Sequence, residues 1–404
     1  MLGDGLSVGY GRNLDVRTAL ASCTRSFSAV PPVLLLAFIG GKHDPHQVLA
    51  ALGESFPGVP VVGGSAAGAI TVQGYGYSGL EIGLLAFTDP AITPKVVVEE
   101  GLQSGEMEAG RSLGARVAEG CADGAAVLLL FDSVASIAPP RLHYASSIVA
   151  GFQEGLGSRR VVLVGGGLLT DINLSDGWVL VGDRVAKHAA IALTFPPEVV
   201  IDTAVLHGCR PISSFMEITR ISGAEVFELN GEPALSVVER MLGITISDAV
   251  DSNLTLSATL GAKQGDPFAP YDENAYVNRL ILRSDRKAGS ITLFEPDFRL
   301  GAKVQIMARD NTLMLQSVRD GAAAVNGAME KGGKGLLRLY IDCAGRASAM
   351  TGAPIEEAEI VRESLDRSVP LLGFYSGVEV AAFDGYSRPL DWTGLLVQLR
   401  YARA

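Results

Sequence analysis

Val59-Pro-Val-Val-Gly63-Gly64-Ser65 is a short apolar run that ends on two glycines, and its surroundings decide the fold. Before it stand the apolar run Leu34-Leu-Leu-Ala-Phe38 and the segment Pro45 to Phe56, whose apolar residues recur at helical spacing. After it comes Leu80-Glu-Ile-Gly-Leu-Leu-Ala-Phe87, a further strand. The order is strand, helix, strand, glycine turn, strand. About one hundred residues later it returns as Ala125–Phe131, a helix over Leu142–Leu156 with small residues on one face, and Arg160-Val-Val-Leu-Val-Gly165-Gly166-Gly167. A hairpin over Trp178-Val-Leu-Val and Ala189–Phe195 completes that pass. A third pass runs through Leu336–Ile341, a helix over Pro354–Leu365, Val369-Pro-Leu-Leu-Gly373-Phe-Tyr and Thr393–Leu399.

A strand–helix–strand step requires a right-handed crossover and gives parallel pairs, whereas hairpins add antiparallel ones. The strands are apolar at consecutive positions, as in sheets covered on both faces. The pattern therefore predicts an α/β fold: repeated strand–helix–strand–hairpin units forming large mixed sheets covered by helices, in two domains. Glu198–Met241 has a different texture, with strands over Val199–Leu206 and Phe215–Arg220, an Asn230-Gly231 turn and a helix over Ala234–Leu242. It reads as the junction between a first domain over 25–235 and a second over 236–404.

The composition narrows the function classes. The chain has 404 residues, 48% of them hydrophobic and 19% charged, which suffices for large cores and argues against disorder. With 33 basic and 44 acidic residues and no basic run, it is a poor phosphate-backbone binder, so no nucleic-acid partner is expected. No apolar run reaches the roughly 18 residues of a membrane span, and no secretory signal is visible. Four scattered cysteines lack zinc-site or disulfide spacing, so a cytoplasmic protein without a metal site is expected. Forty-eight glycines exceed the usual share of about 7% and cluster at strand exits.

Candidate functional residues follow from those exits. Gly74-Tyr-Gly76-Tyr-Ser-Gly79 matches a dinucleotide fingerprint literally, but a strand follows it where a helix is required, so it reads as a hairpin loop. Ser65 follows two glycines without the flanks of a nucleophile elbow, and no catalytic constellation is recognisable. Gly64 and Ser65 read either as a pocket-facing turn or as a purely structural one. Cys343-Ala-Gly-Arg346 follows a strand: the arginine would activate the thiol, anchor a carboxylate, or do neither. Glu379 stands just past a strand end, where open sheets place ligand groups, with salt bridging or capping as the alternative. His207-Gly-Cys209 offers a haem ligand in His207 or Cys209, or else a loop beside a buried thiol.

Across these motifs the chain resembles FIST proteins, with an N-terminal and a C-terminal FIST domain in tandem. The resemblance runs through Val62-Gly-Gly-Ser-Ala-Ala-Gly68, Val164-Gly-Gly-Gly-Leu168, Gly208-Cys-Arg-Pro211 and Val226–Leu235. It continues through Asp342-Cys-Ala-Gly-Arg346, Leu372–Glu379 and Trp392-Thr-Gly394. Where this chain has Gly64-Ser65-Ala66 the family commonly has Cys and Ser/Thr, and where it has Val378-Glu379 the family has Gly-Glu. The resemblance implies a sensor for small, amino-acid-like ligands rather than an enzyme. Its output partner would be a separate protein such as a kinase, a cyclic-dinucleotide enzyme or a chemoreceptor, and homodimers are conceivable for so much sheet. Ligand contacts would come from Gly64, Ser65, Asp132, Gly166, Arg210, Cys343, Arg346, Tyr375 and Glu379. Arg210 and Arg346 would hold a carboxylate, Glu379 or Asp132 an amine, and Ser65 and Tyr375 would add hydrogen bonds. A haem-dependent nitric-oxide or gas sensor is the alternative, and an enzyme using Cys343 the third reading.

Overall fold

The computed structural model describes residues 5–138, 140–245, 258–332, 334–383 and 385–402. Three units built on one plan make up most of it. In the first, strands Leu6–Arg12, Leu34–Gly40 and Val61–Ala66 alternate with helices Val16–Thr24 and Pro45–Ser55; a small hairpin (Ala69–Thr71, Tyr75–Gly76) and the strand Glu81–Phe87 follow. The second repeats this with strands Lys95–Glu100, Ala125–Asp132 and Val161–Leu168, helices Glu106–Ala118 and Ala145–Gly155, a hairpin (Val179–Gly182, Arg184–Ala186) and the strand Ala189–Thr194. The third uses strands Val199–Leu206, Gly335–Cys343 and Leu371–Ser376, helices Asn311–Gly332 and Glu357–Ser364, a hairpin (Glu379–Phe383, Tyr386–Leu390) and the strand Gly394–Tyr401.

Each unit forms its own mixed sheet, in which its second and third strands run parallel. The hairpins, however, are exchanged in a cycle. The first unit's hairpin extends the third sheet, the second unit's extends the first, and the third unit's extends the second. One apolar core joins the inner faces of all three sheets, where Phe38 and Phe374 stack with ring centroids 4.2 Å apart. The outer faces pack on helices in separate clusters. Burial on both faces is why these strands carry no polar alternation.

The recurring glycine has one steric cause in all three units. A Cβ on Gly63, Gly165 or Gly373 would lie 2.1, 1.8 or 2.3 Å from the carbonyl oxygen of Ala37, Leu129 or Tyr340 on the neighbouring strand. The small-residue face read on the fourth helix has a similar origin: Gly151 and Gly155 lie against the backbone of Met107 and Arg111 on the third helix, and Gly110 and Gly114 against that of Ile148 and Phe152, in a helix pair whose backbones nearly touch.

The third unit is interrupted by a separate element that the sequence pattern did not foretell. Between its first strand and its long helix, strands Met216–Ser222, Glu225–Leu229, Ser290–Leu293, Tyr276–Asp285, Ala258–Lys263 and Lys303–Ala308 pair antiparallel in that order. The last pairs the first, closing a barrel around its own core. The Asn230-Gly231 turn, both residues at positive φ, and the helix Ala234–Leu242 lie in it as read. Val199–Leu206, read as part of the junction, instead edges the third sheet, paired along its length with Gly394–Tyr401. The helix expected over Pro354–Leu365 begins at Glu357. Glu356 is held outside it, accepting bonds from the Ser348 amide (2.8 Å) and the Tyr375 hydroxyl (3.1 Å).

Candidate functional site

The parallel strands Gly335–Cys343 and Leu371–Ser376 end side by side, at Cys343 and Ser376. Beyond such ends the backbone fans apart and leaves room for a ligand. Here the room is a cavity of about 210 Å³. Cys343, Ser376, Asp391 and Trp392 line it from the third unit, Ile172 and Leu174 from the second, and Leu280, Leu282 and Phe294 from the barrel. A second cavity of about 360 Å³ shares the Leu174, Leu282 and Phe294 wall and reaches Arg141, His143, Arg283 and Glu295. Together they form a cleft where two units meet the barrel. Two non-glycine residues on its wall, Leu174 (φ 60°) and Trp392 (φ 56°), hold left-handed backbone, a strain of about 1–3 kcal/mol each that collects at functional sites.

The barrel is fixed beside this cleft by buried carboxylates. Arg279 forms a two-pronged pair with Asp297 (2.6 and 2.7 Å), and Asp391 accepts the Leu280 amide at 3.0 Å. Burial pushes Asp391 up to about 6. Glu295 accepts the Ala145 and Ser146 amides (3.0 and 3.1 Å), capping the fourth helix from outside it; burial and then Asp391 push its carboxyl up to about 8.

Of the residues expected to bind ligand, Cys343 lines the cavity. Burial and Glu379 raise its thiol pKa well above the ordinary value, the reverse of activation by Arg346. Arg346 and Glu379 lie behind the wall, already engaged. The Arg346 guanidinium is fully buried, donates to the carbonyls of His207 and Trp392 at 3.1 Å each, and pairs with Glu357 at 2.5 Å. Glu379 is also fully buried, and burial raises its pKa well above the carboxylate range. It accepts from the Ser376 hydroxyl, which also lies 3.1 Å from the Asp342 carbonyl, and from the Thr393 amide at 3.2 Å. A carboxylate on Arg346 and an amine on Glu379 would each have to displace these partners.

The remaining candidates hold seams. Ser65 donates to the Trp178 carbonyl (3.2 Å) and accepts from its amide (3.1 Å), binding the exchanged hairpin. Gly64 lets that hairpin approach, since a Cβ would stand 2.3 Å from the Trp178 carbonyl. Gly166 makes room for Ile341 and Phe374 in the central core. Tyr375 points to the helix side of its sheet, its ring edge-on to Tyr77. Arg210 stacks on Tyr271 and donates to its hydroxyl at 2.7 Å, on the barrel. Asp132 accepts the amides of Val134 (2.9 Å) and His188 (2.7 Å), beside a chain in which Glu106, His143 and His188 follow at 3.0 Å steps.

His207 offers iron nothing. Its Nδ1 accepts the Cys209 amide at 2.9 Å and its Nε2 bonds the Glu273 carbonyl at 3.1 Å, with the ring wholly buried. Cys209 is equally buried, its thiol directed at the His207 carbonyl, and burial pushes that thiol up to about 11. Neither fits a haem ligand. No group of three metal-ligating side chains occurs among the described residues, and none of their helices is long and apolar enough to cross a membrane. The sequence reading missed Trp392 and the barrel residues Leu280, Leu282 and Phe294 as cavity wall. Only Trp392, quoted for the resemblance, carried a signal.

Fold and cleft together define a multi-sheet α/β protein with a cleft where the core meets the barrel. The chain belongs to the FIST family: the FIST N domain profile matches residues 33–232 and the FIST C domain profile residues 234–382. An uncharacterized protein of Mycobacterium tuberculosis is 28% identical over 187 residues, 46% of this chain and 47% of that protein. An uncharacterized protein of Mycobacterium bovis is 28% identical over 183 residues, 45% and 46% of the two chains. The matched region thus spans about half the length of these relatives. Among solved structures, a cyanuric acid hydrolase from A. caulinodans aligns over 98% of this chain and 99% of its own at 8% identity, with a TM-score of 0.36, too low to bear on function.

Proposed function

We propose that the protein is a small-ligand sensor whose ligand occupies the cavity bounded by Cys343, Trp392 and the barrel. FIST domains are a family of predicted small-ligand sensors, and the cavity supplies a site of metabolite size, below the roughly 300 Å³ of drug-sized pockets. One observation carries the reading: the cavity wall belongs partly to the core and partly to the barrel. A ligand touching both changes the free energy of their contact, which is what a sensor needs. The ligand is largely apolar, because most of the wall is, and its amino-acid-like form would need anchors other than Arg346 and Glu379. The signal passes to a separate protein of the kinase, cyclic-dinucleotide or chemoreceptor type, in the cytoplasm, where four free cysteines stay reduced. We assign no catalytic step to Cys343, whose thiol has no hydrogen-bonded base among the described residues.

Gly345 provides the test. It lines the cavity, and a Cβ there has no neighbour nearer than the Cys343 sulfur at 3.8 Å, so Gly345→Leu fills the space without a backbone clash. In thermal-shift screens of small metabolites, a true ligand at about 100 times its Kd stabilises the wild type by about 2.7 kcal/mol and leaves Gly345→Leu unmoved. A library that shifts neither protein, or both alike, overturns the proposal.

A further inference from the structure

Arg309 stands where the chain leaves the barrel strand Lys303–Ala308 and enters the helix Asn311–Gly332. Its guanidinium lies 4.1 Å over the Trp392 ring. It makes one side-chain hydrogen bond, from Nη2 to Asn311 at 3.2 Å, while Nε and Nη1 are buried without a partner. Arg309 is half-buried, and the fully buried arginines of this region have acids: Arg279 has Asp297, and Arg346 has Glu357. Among the described residues no carboxylate lies within ion-pair distance of Arg309. The adjacent Asp310 is turned to the helix it caps, accepting the amides of Thr312 and Leu313 at 2.6 and 3.1 Å. Arg346 repels it, and Glu357, the acid whose field reaches it, is already taken by Arg346.

Trp392 adds an independent observation. It is 3% exposed, lines the cavity, holds a left-handed backbone, and its indole N–H has no acceptor. The unmet groups of this stacked pair are all donors, and one of them carries a full charge. A half-buried guanidinium whose Nε and Nη1 are shut from water without a partner lacks compensation for that desolvation, and its planar fork matches a carboxylate with two parallel bonds.

We propose that Arg309 and Trp392 form a subsite for one anionic group, a carboxylate, at the Trp392 edge of the cavity, where Arg309 stacks on the indole without itself being part of the wall. This rests on the cavity being the ligand site, and it makes the ligand a small organic acid with an apolar body. The subsite lies at the crossing between barrel and core, so a bound acid acts on the joint between them. Burial lowers the Arg309 pKa to about 10, which leaves it cationic at neutral pH.

Calorimetric titration of the full chain with sodium phenylacetate and with phenylacetamide, its uncharged analogue of similar shape, tests this. The acid is expected to bind at least tenfold more tightly than the amide, and Arg309→Gln to erase that preference while keeping the amide's affinity. Trp392→Phe, which retains the ring and removes the N–H, should weaken the acid severalfold; it and the wild-type comparison remain decisive if Arg309→Gln does not fold. Equal binding of acid and amide, or a preference that survives in Arg309→Gln, overturns the anion subsite and leaves the cavity standing. If neither compound binds, the subsite falls, and the Gly345→Leu screen decides separately on the cavity.

Discussion

At Gly165 the backbone passes so close to its neighbour that a single methyl group would stand 1.8 Å from the Leu129 carbonyl oxygen. Its φ of +156° is also one that L side chains rarely adopt, so crowding and conformation together fix the residue. Gly53, in the second helix, has nothing within 4 Å of its would-be Cβ and keeps an ordinary helical φ. The two positions should therefore answer the same substitution with opposite signs. Gly165→Ala must push two parallel strands apart inside a close-packed core, at a cost of about 3 kcal/mol, the upper end for overpacking. Gly53→Ala should stabilise by about 0.5–1 kcal/mol, the helical preference for alanine. Urea denaturation of the two variants checks the pair, and equal effects would refute the steric account of the strand-exit glycines.

At the scale of elements, the neck between barrel and core is the joint on which a sensor depends. The chain crosses it twice, at His207–Gly208–Cys209 and at Arg309–Asp310, and Gly208 fits against Met314 with no room for a side chain. His207 closes the neck as a neutral ring; burial pushes it down to about 4, with the Glu273 carboxylate opposing and Arg346 reinforcing the shift. Between pH 6.5 and 4 the unfolded chain takes up a proton at this histidine that the folded chain refuses, so stability falls as pH drops through that window and is intact above it. The loss at this residue should approach about 3 kcal/mol at 1.36 kcal/mol per unit. His207→Gln, whose amide can donate and accept at the same places, should remove this part of the slope. Urea midpoints at pH 7 and pH 4.5 for both proteins isolate it, because the other titrating groups are common to both. Little of this neck was legible in the sequence. Repeated units could be read because their central strands, buried on both faces, spell unbroken apolar runs. The edge strand Lys95-Val-Val-Val-Glu-Glu100 is half exposed and hid in its own polarity. Barrel strands such as Met216–Ser222 alternate buried with open positions, and closure depends on Ala258 meeting Ala308, fifty residues away. Arg346 and Glu379 looked like ligand anchors because a sequence displays charges but not the Glu357 and Ser376 that occupy them.

Taken whole, the molecule joins two kinds of folding unit with different demands. The three sheets are completed only by one another's hairpins: Val161–Leu168 needs Glu379–Phe383 at its edge, and Ala69–Thr71 has no sheet without Leu371–Ser376. A fragment of residues 1–208 therefore keeps two units yet loses both pairings, along with the Phe38–Phe374 stack at the common core. It would leave an apolar strand edge and an apolar sheet face open to solvent, the conditions for edge-to-edge association. The barrel makes no such loan. Its strands close on themselves around an apolar core of their own, and closure removes the edge. A fragment of residues 209–309 is about the commonest domain size, and it should fold alone into a monomer with one cooperative thermal transition. The 1–208 fragment should self-associate and lack the fixed aromatic environment seen by near-ultraviolet circular dichroism. Light scattering and circular dichroism on the two fragments decide the matter. A monodisperse, well-packed 1–208 fragment would mean that the exchanged hairpins decorate sheets already stable without them. An unfolded 209–309 fragment would mean that the barrel depends on Arg279 and Glu295 being met by the core, and that it cannot move as a separate body when the cleft between them is filled.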